Sequence, residues 1–146
     1  MAQEVTLRDV TQSDLPILYE QQLDPEASRL AAVPSRDRDA FDAHWEKILA
    51  DETVRIKTIE ADGEVAGNVL SFPRDGKTEV GYWIGKEFWG RGIATRALAE
   101  FLALVDERPI HAAVAEHNPG SMRVLEKCGF VLRGKEDDGM LVYELR

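Results

Sequence analysis

Between Glu79 and Leu98 the chain reads Glu79-Val-Gly-Tyr-Trp-Ile-Gly-Lys-Glu-Phe-Trp-Gly-Arg-Gly-Ile-Ala-Thr-Arg-Ala-Leu98. This is a strand, a turn of glycines and basic residues, and then a helix with apolar periodicity. Such a turn leaves main-chain N–H groups pointing outward at a helix N-terminus. With the positive end of the helix dipole, about half a charge, those donors suit a phosphate group. Gly90 and Gly92 remove Cβ atoms that would hold the backbone away from it. Lys86, Arg91 and Arg96 lie in or beside the turn, and Arg123 and Lys127, four apart in a later helix, share one face. In a chain of net charge -9 this concentration of positive charge fits an anion site, although solvated surface charge produces the same pattern.

The elements that must position these groups follow from period and punctuation. Val5 to Leu7 can start a strand, and Thr11-Gln-Ser-Asp-Leu-Pro16 is a helix start, with cap-type side chains and Pro in the first turn. That helix is expected to reach about Leu23, with Asp24-Pro-Glu-Ala-Ser28 breaking it. A second helix is predicted over Arg38 to Ala50, with Phe41, Trp45, Ile48 and Leu49 on one stripe. The period then changes. A strand around Val54 to Ile59, the Asp62-Gly63 turn, a strand from Val65 to Phe72, the Asp75-Gly76 turn and a strand from Thr78 to Ile84 make an antiparallel meander.

Helix is predicted from about Gly92 to Asp106, strand over Ile110 to Ala115, and helix from Asn118-Pro119 to about Lys127, ended by Gly129. Phe130 to Gly134 and Met140 to Leu145 form a last hairpin. The order βααβββαβαββ implies an α+β fold, a mostly antiparallel sheet flanked by helices with one strand–helix–strand crossover.

Composition bounds the partners. A chain of 146 residues that is 44% hydrophobic and 31% charged is expected to form a single domain over residues 1–146. It has no run of 18 apolar residues and no apolar leader region, so no membrane partner is expected. The acidic balance argues against nucleic acid. The single cysteine, Cys128, can form neither an internal disulfide nor a metal cluster. Together these point to the cytoplasm, with no metal, as a monomer or homodimer.

Rival phosphate motifs fail on context. Gly90-Arg-Gly-Ile-Ala-Thr95 has Thr95 where a dinucleotide fingerprint needs its third Gly, and a meander precedes it. No Gly-Lys-Ser/Thr triplet is present. Three segments instead resemble the GNAT superfamily of acyl-CoA N-acyltransferases, most closely its branch of ribosomal-protein alanine acetyltransferases. They are Glu79-Val-Gly-Tyr-Trp-Ile84, Phe88-Trp-Gly-Arg-Gly-Ile-Ala-Thr-Arg-Ala-Leu98 and Asn118-Pro-Gly-Ser-Met-Arg-Val-Leu-Glu-Lys-Cys-Gly-Phe130. At the turn Gly92 and Ala94 match the family pattern Gln/Arg-x-x-Gly-x-Gly/Ala, while Trp89 stands at its first position, as it does in that branch.

The resemblance implies acetyl-CoA as co-substrate. It implies that main-chain N–H groups of Arg91, Gly92, Ile93, Ala94 and Thr95 hold the pyrophosphate. It further implies that the strand before the turn splays from its neighbour, so that Tyr82, Trp83 and Ile84 pair with the pantetheine arm. Asn118, a good N-cap by its own chemistry, would also bind that arm. Many relatives carry, seven residues after this Asn, a Tyr that protonates the departing thiolate; here the position is Leu125, and Ser121 is the expected replacement. A thiol pKa near 8.5 makes the thiolate a tolerable leaving group even without an acid.

The implied reaction is direct attack of a primary amine on acetyl-CoA. Cys128 at a helix C-terminus fits a small buried residue better than an acyl carrier. The amine must first lose a proton. A lysine-type amine, pKa about 10.4, is neutral far more rarely at pH 7 than an α-amine of pKa about 7.7–8. Glu79, opening the strand expected to face the cleft, is the first candidate base, with Glu116 and His117 as rivals. His44 reads as a helix-surface residue and His111 as structural. The charged segment Asp24 to Asp39 is expected to choose the amine, on a small molecule or a protein N-terminus. An acyl-CoA-binding module without efficient turnover is the alternative, and Leu125 is its best support.

Overall fold

The computed structural model describes residues 4–146. Seven strands form one sheet in the order β1-β2-β3-β4-β5-β7-β6. They are β1 (Val5–Arg8), β2 (Arg55–Ala61), β3 (Glu64–Arg74), β4 (Lys77–Ile84), β5 (Ile110–Val114), β6 (Val131–Lys135) and β7 (Leu141–Leu145). Every neighbouring pair is antiparallel except β4 and β5. The helices are α1 (Leu15–Gln22), α2 (Pro25–Ala31), α3 (Arg38–Ala50), α4 (Ile93–Leu102) and α5 (Pro119–Lys127).

The expected α+β architecture holds, with one added helix. The break at Asp24 is real, but the chain re-enters a helix at once. The Asp24 carboxylate accepts from Ala27 N–H at 3.0 Å, and Pro25 occupies the first helical position. A cap followed by Pro is a start signal as much as a stop signal. One boundary moved. Helix α4 ends at Leu102, where Ala103 N–H and Leu104 N–H close tighter turns onto Glu100 O and Phe101 O. The Arg108 guanidinium then donates to the carbonyls of Leu102 and Val105. Leu49 falls off the α3 stripe and is exposed, while Phe41 and Trp45 are buried.

Two apolar layers sandwich the sheet. Helix α4 and Leu125 of α5 pack on one face with Ile59, Val69, Val80, Ile84, Ile110, Val114 and Tyr143. Leu18, Phe41 and Trp45 cover part of the other with Ile56 and Val65. Full burial of side chains such as Phe101, Leu98 and Ile110 contributes about 1.5–3 kcal/mol each. Asp14 ties α1 to the sheet: it is 2% exposed and accepts from Arg8 Nη1 and Nη2, Thr11 N–H and Thr58 Oγ1, each at 2.8 Å.

The parallel pair positions the site. β4 and β5 are paired only at Thr78–Ile110 and Glu79–His111. Beyond that rung the strands diverge, although β4 stays paired with β3 through Ile84. β3 follows it closely: a Cβ on Gly67 would lie 1.9 Å from Trp83 O. Only a residue without a side chain permits that approach.

Candidate active site

The divergence of β4 and β5 opens a cleft of about 540 Å³. Its β4 wall is Val80 to Ile84, its β5 wall Ala112 to Ala115, and α5 closes it with Asn118, Ser121 and Leu125. The Gly turn and the first residues of α4 form one end, and Ala27, Leu30 and Ala31 of α2 border it.

At the turn, Gly90 (φ 77°) and Gly92 (φ 76°) adopt left-handed conformations, and Gly92 stands at the N-cap of α4. Arg96 N–H closes the first helical bond onto Gly92 O. The amides of Ile93, Ala94 and Thr95 belong to the first turn and have no acceptor within the helix. The end of the cleft thus presents amide donors at a positive helix end, which fits a phosphoanion. A Cβ on Gly90 or Gly92 would meet no protein atom within 4 Å, so the space beside both is open. Arg123 and Lys127 line the cleft. Lys86 turns away, pairing with Glu26 at 3.0 Å and Asp24 at 3.8 Å on α2. Arg91 lies over the Phe88 ring, 5.5 Å from its centroid.

On α5, Asn118 Oδ1 accepts from Ser121 N–H at 3.2 Å, so its capping role is filled and it still lines the cleft. Ser121 Oγ lies 2.5 Å from the Tyr82 hydroxyl. Burial pushes the Tyr82 phenol up to about 12, partly offset by this hydrogen bond. The sequence implies only backbone pairing for Tyr82; its hydroxyl enters the site through the fold. The β alternation places the side chains of 82 and 84 on the α5 face, and that was the available signal. Trp83 points to the opposite face, donating to Gln21 O at 3.3 Å. Cys128 Sγ lies 3.5 Å from Thr95 O, and burial raises its thiol pKa, which makes it an inert packing residue.

Glu79 is not in this cleft. It lines a second hollow of about 310 Å³ on the face opposite Tyr82, with His111, Ala112, Ala113, Arg133 and Lys135. Ala112 and Ala113 line both spaces, so the two meet across β5 at the end of the β4–β5 ladder. Burial raises the Glu79 pKa, and Arg74, 3.4 Å away, partly offsets it. The rival bases lie elsewhere. Glu116 is paired with Lys135, and His117 Nε2 is 2.5 Å from Arg29 O. His44, on α3, has its pKa lowered by burial and by the nearby Arg36 and Lys47 charges. Among the described residues no cluster could hold a metal ion, and no helix is long and apolar enough to cross a membrane.

The family profile described as "Acetyltransferase (GNAT) domain" matches residues 4–131. The chain belongs to the GNAT acetyltransferases. Among curated relatives of this GNAT chain, YdaF of Bacillus subtilis (strain 168), a provisionally named ribosomal N-acetyltransferase, is 33% identical over 116 residues. The match covers 72% of this chain and 61% of that protein, so the chain spans under two thirds of this relative's length. Of solved structures, the aminoglycoside acetyltransferase AAC(6')-Ib in complex with coenzyme A superposes with a TM-score of 0.81 at 23% identity, covering 98% of this chain and 94% of that one. The spermidine N-acetyltransferase of Vibrio cholerae, in complex with coenzyme A and spermine, does so with a TM-score of 0.81 at 20% identity, covering 96% and 92%. At those identities the likeness shows the GNAT fold.

Proposed function

We propose that the protein is an acetyl-CoA-dependent N-acetyltransferase acting on a primary amine of a small molecule or a protein N-terminus. The observation that carries this is the cleft itself. Strand β4 leaves its outer edge unpaired with β5 from Val80 to Ile84, with the Ile84 carbonyl alone taken, by the Trp89 indole N–H at 2.8 Å, between a helix-start amide cluster and a pair of hydroxyls. A pantetheine arm suits such an edge because it can pair as an added strand does. Amides from Arg91 to Thr95 would hold the pyrophosphate, Tyr82 to Ile84 and Asn118 the arm. When bound, acetyl-CoA supplies an activated acyl group on a thiol leaving group.

The chain's own residues do the rest. Ser121 Oγ holds a proton on the cleft side of β5 for the departing thiolate. A phenol is more acidic than an alcohol, so Tyr82 donates to Ser121 and leaves the Ser121 proton free to point into the cleft. Glu79 sits at the apex of the split, on the face left open for an amine, where its carboxylate can draw an ammonium in, and the acceptor for the amine's proton belongs to that same face. The two proton sites thus lie on opposite faces of the sheet, one for the leaving group and one for the nucleophile. The acceptor would enter past β6, and protein N-termini, polyamines and aminoglycosides are its candidate classes.

The test is release of free thiol from acetyl-CoA in the presence of spermine, kanamycin or a peptide beginning with alanine. Amine-dependent release is expected with at least one. Stabilisation by coenzyme A in thermal shift without release from any of the three would favour the binding-module alternative, to which Leu125, buried and lacking a hydroxyl, would then contribute.

A further inference from the structure

His111 is the register partner of Glu79 on the last paired rung of β4 and β5, on the same face of the sheet. It lines the same hollow and is 8% exposed. Its Nε2 lies 3.0 Å from Glu144 Oε2 on β7. The other oxygen of that carboxylate accepts from Arg146 Nε at 2.8 Å and Arg133 Nε at 3.3 Å. The Arg146 hydrogen bond chiefly, with that from His111 and the charges of Arg146 and Arg133, holds Glu144 below the usual carboxylate range against the opposing effect of burial. An ionised carboxylate only accepts, so Nε2 must carry the hydrogen. Neutral His111 therefore keeps a lone pair on Nδ1, and Nδ1 is buried with no hydrogen-bond partner.

A buried unpaired acceptor on a ring oriented by a carboxylate is the arrangement of a poised base. Glu79 differs: one of its oxygens is already engaged by Arg74.

We propose that His111, oriented by Glu144, takes the proton from the incoming amine at Nδ1, with Glu79 beside it drawing the ammonium in. This rests on the acetyltransferase reading above. The ammonium N–H bond breaks, its electron pair stays on nitrogen, and the proton bonds to Nδ1. The positive charge moves onto an imidazolium that Glu144 and Glu79 face. The neutral amine then forms the N–C bond as the C–S bond breaks, the C–S electron pair leaving on sulfur; the nitrogen sheds one more proton as it becomes an amide, and the thiolate takes up one through Ser121, so the protons balance. The charged groups around the ring are Glu144 on β7, Glu79 and Lys77 on β4, Arg74 on β3, Arg133 and Lys135 on β6, and Asp75, Glu136 and Arg146 beside them, so the two carboxylates nearest the imidazole are held by three arginines, Arg74 on Glu79 and Arg133 and Arg146 on Glu144.

The experiment compares wild type with His111→Gln and Glu144→Gln in the thiol-release assay from pH 6 to 10, with coenzyme A affinity measured by calorimetry. His111→Gln is expected to lose about 10²-fold or more in kcat/KM at pH 7. Its deficit should shrink as the pH nears the amine's own pKa, with coenzyme A affinity within about twofold of wild type and imidazole partly restoring His111→Ala. Glu144→Gln should lower kcat/KM less and move the acidic limb. An active wild type whose His111→Gln variant keeps its rate and pH profile would overturn the proposal and leave the enzyme reading intact. Nitrogen NMR of the imidazole rings, assigned by difference with His111→Gln, tests it without turnover. A neutral Nε2–H form supports the proposal, and an Nδ1–H form overturns it.

Discussion

The Tyr82 and Ser121 hydroxyls meet at 2.5 Å across the cleft, the one from β4 and the other from the first turn of α5. The residues join two segments 39 positions apart, and they stand where Leu125 supplies no hydroxyl of its own. Ser121→Ala is expected to lower kcat by about 10- to 100-fold, at the low end of general-acid effects because a thiolate leaves readily. Tyr82→Phe should lower it by about tenfold. Both should leave coenzyme A affinity within about twofold, measured by calorimetry; parallel losses of affinity would mean that the pair only packs the cleft.

Gly92→Glu places bulk and negative charge at the N-cap of α4, on a backbone with φ 76°. Coenzyme A binding should fall below detection in calorimetry, while Gly90→Ala, at φ 77°, should cost less because it adds only strain. Unchanged affinity for the Glu variant would remove the anion site from the turn.

Much of this was legible in the chain. Helix α3 runs over Arg38–Ala50 as its apolar stripe implies, and the two Asp-Gly turns fall where the meander reverses. Those signals are local, set by caps, turn chemistry and period. What was not legible depends on residues far apart in sequence. Glu79 faces the second hollow because alternation along β4 sets it opposite Tyr82, and a strand does not announce which face a ligand will use. His111 reads as structural in the sequence because Glu144, 33 residues away, is brought to 3.0 Å from its ring only in the folded sheet. Gly67 carried no signal at all, since its need comes from Trp83 O on the neighbouring strand.

Gly67→Ala should accordingly destabilise the fold by about 1–3 kcal/mol, because a Cβ at 1.9 Å from a strand carbonyl forces β3 and β4 apart. Chemical denaturation measures this. A neutral effect would mean that the two strands yield there at little cost.

The Asp14 carboxyl is held well below the usual carboxylate range, first by its hydrogen bonds from Arg8 and then by Thr11 N–H and Thr58, against the opposing effect of burial. A depressed folded-state pKa contributes stability that is present above the unfolded value, about 3.9, and is lost as pH falls below it toward the folded value. Asp14→Ala should cost about 3 kcal/mol at pH 7 by leaving Arg8 and Thr58 without their shared acceptor. The difference from wild type should narrow below about pH 4. A penalty that stays constant with pH would assign the loss to packing alone.

In the proposed reaction the split between β4 and β5 holds a thioester cofactor whose acyl group faces an amine from the other side of the sheet. A crystal structure of the protein with coenzyme A tests it most directly. The pyrophosphate is expected on the main-chain amides of residues 91–95, the pantetheine arm along Tyr82 to Ile84, and the sulfur beside Ser121 Oγ. A cofactor bound elsewhere, or a cleft occupied by protein side chains at saturating coenzyme A, would contradict it.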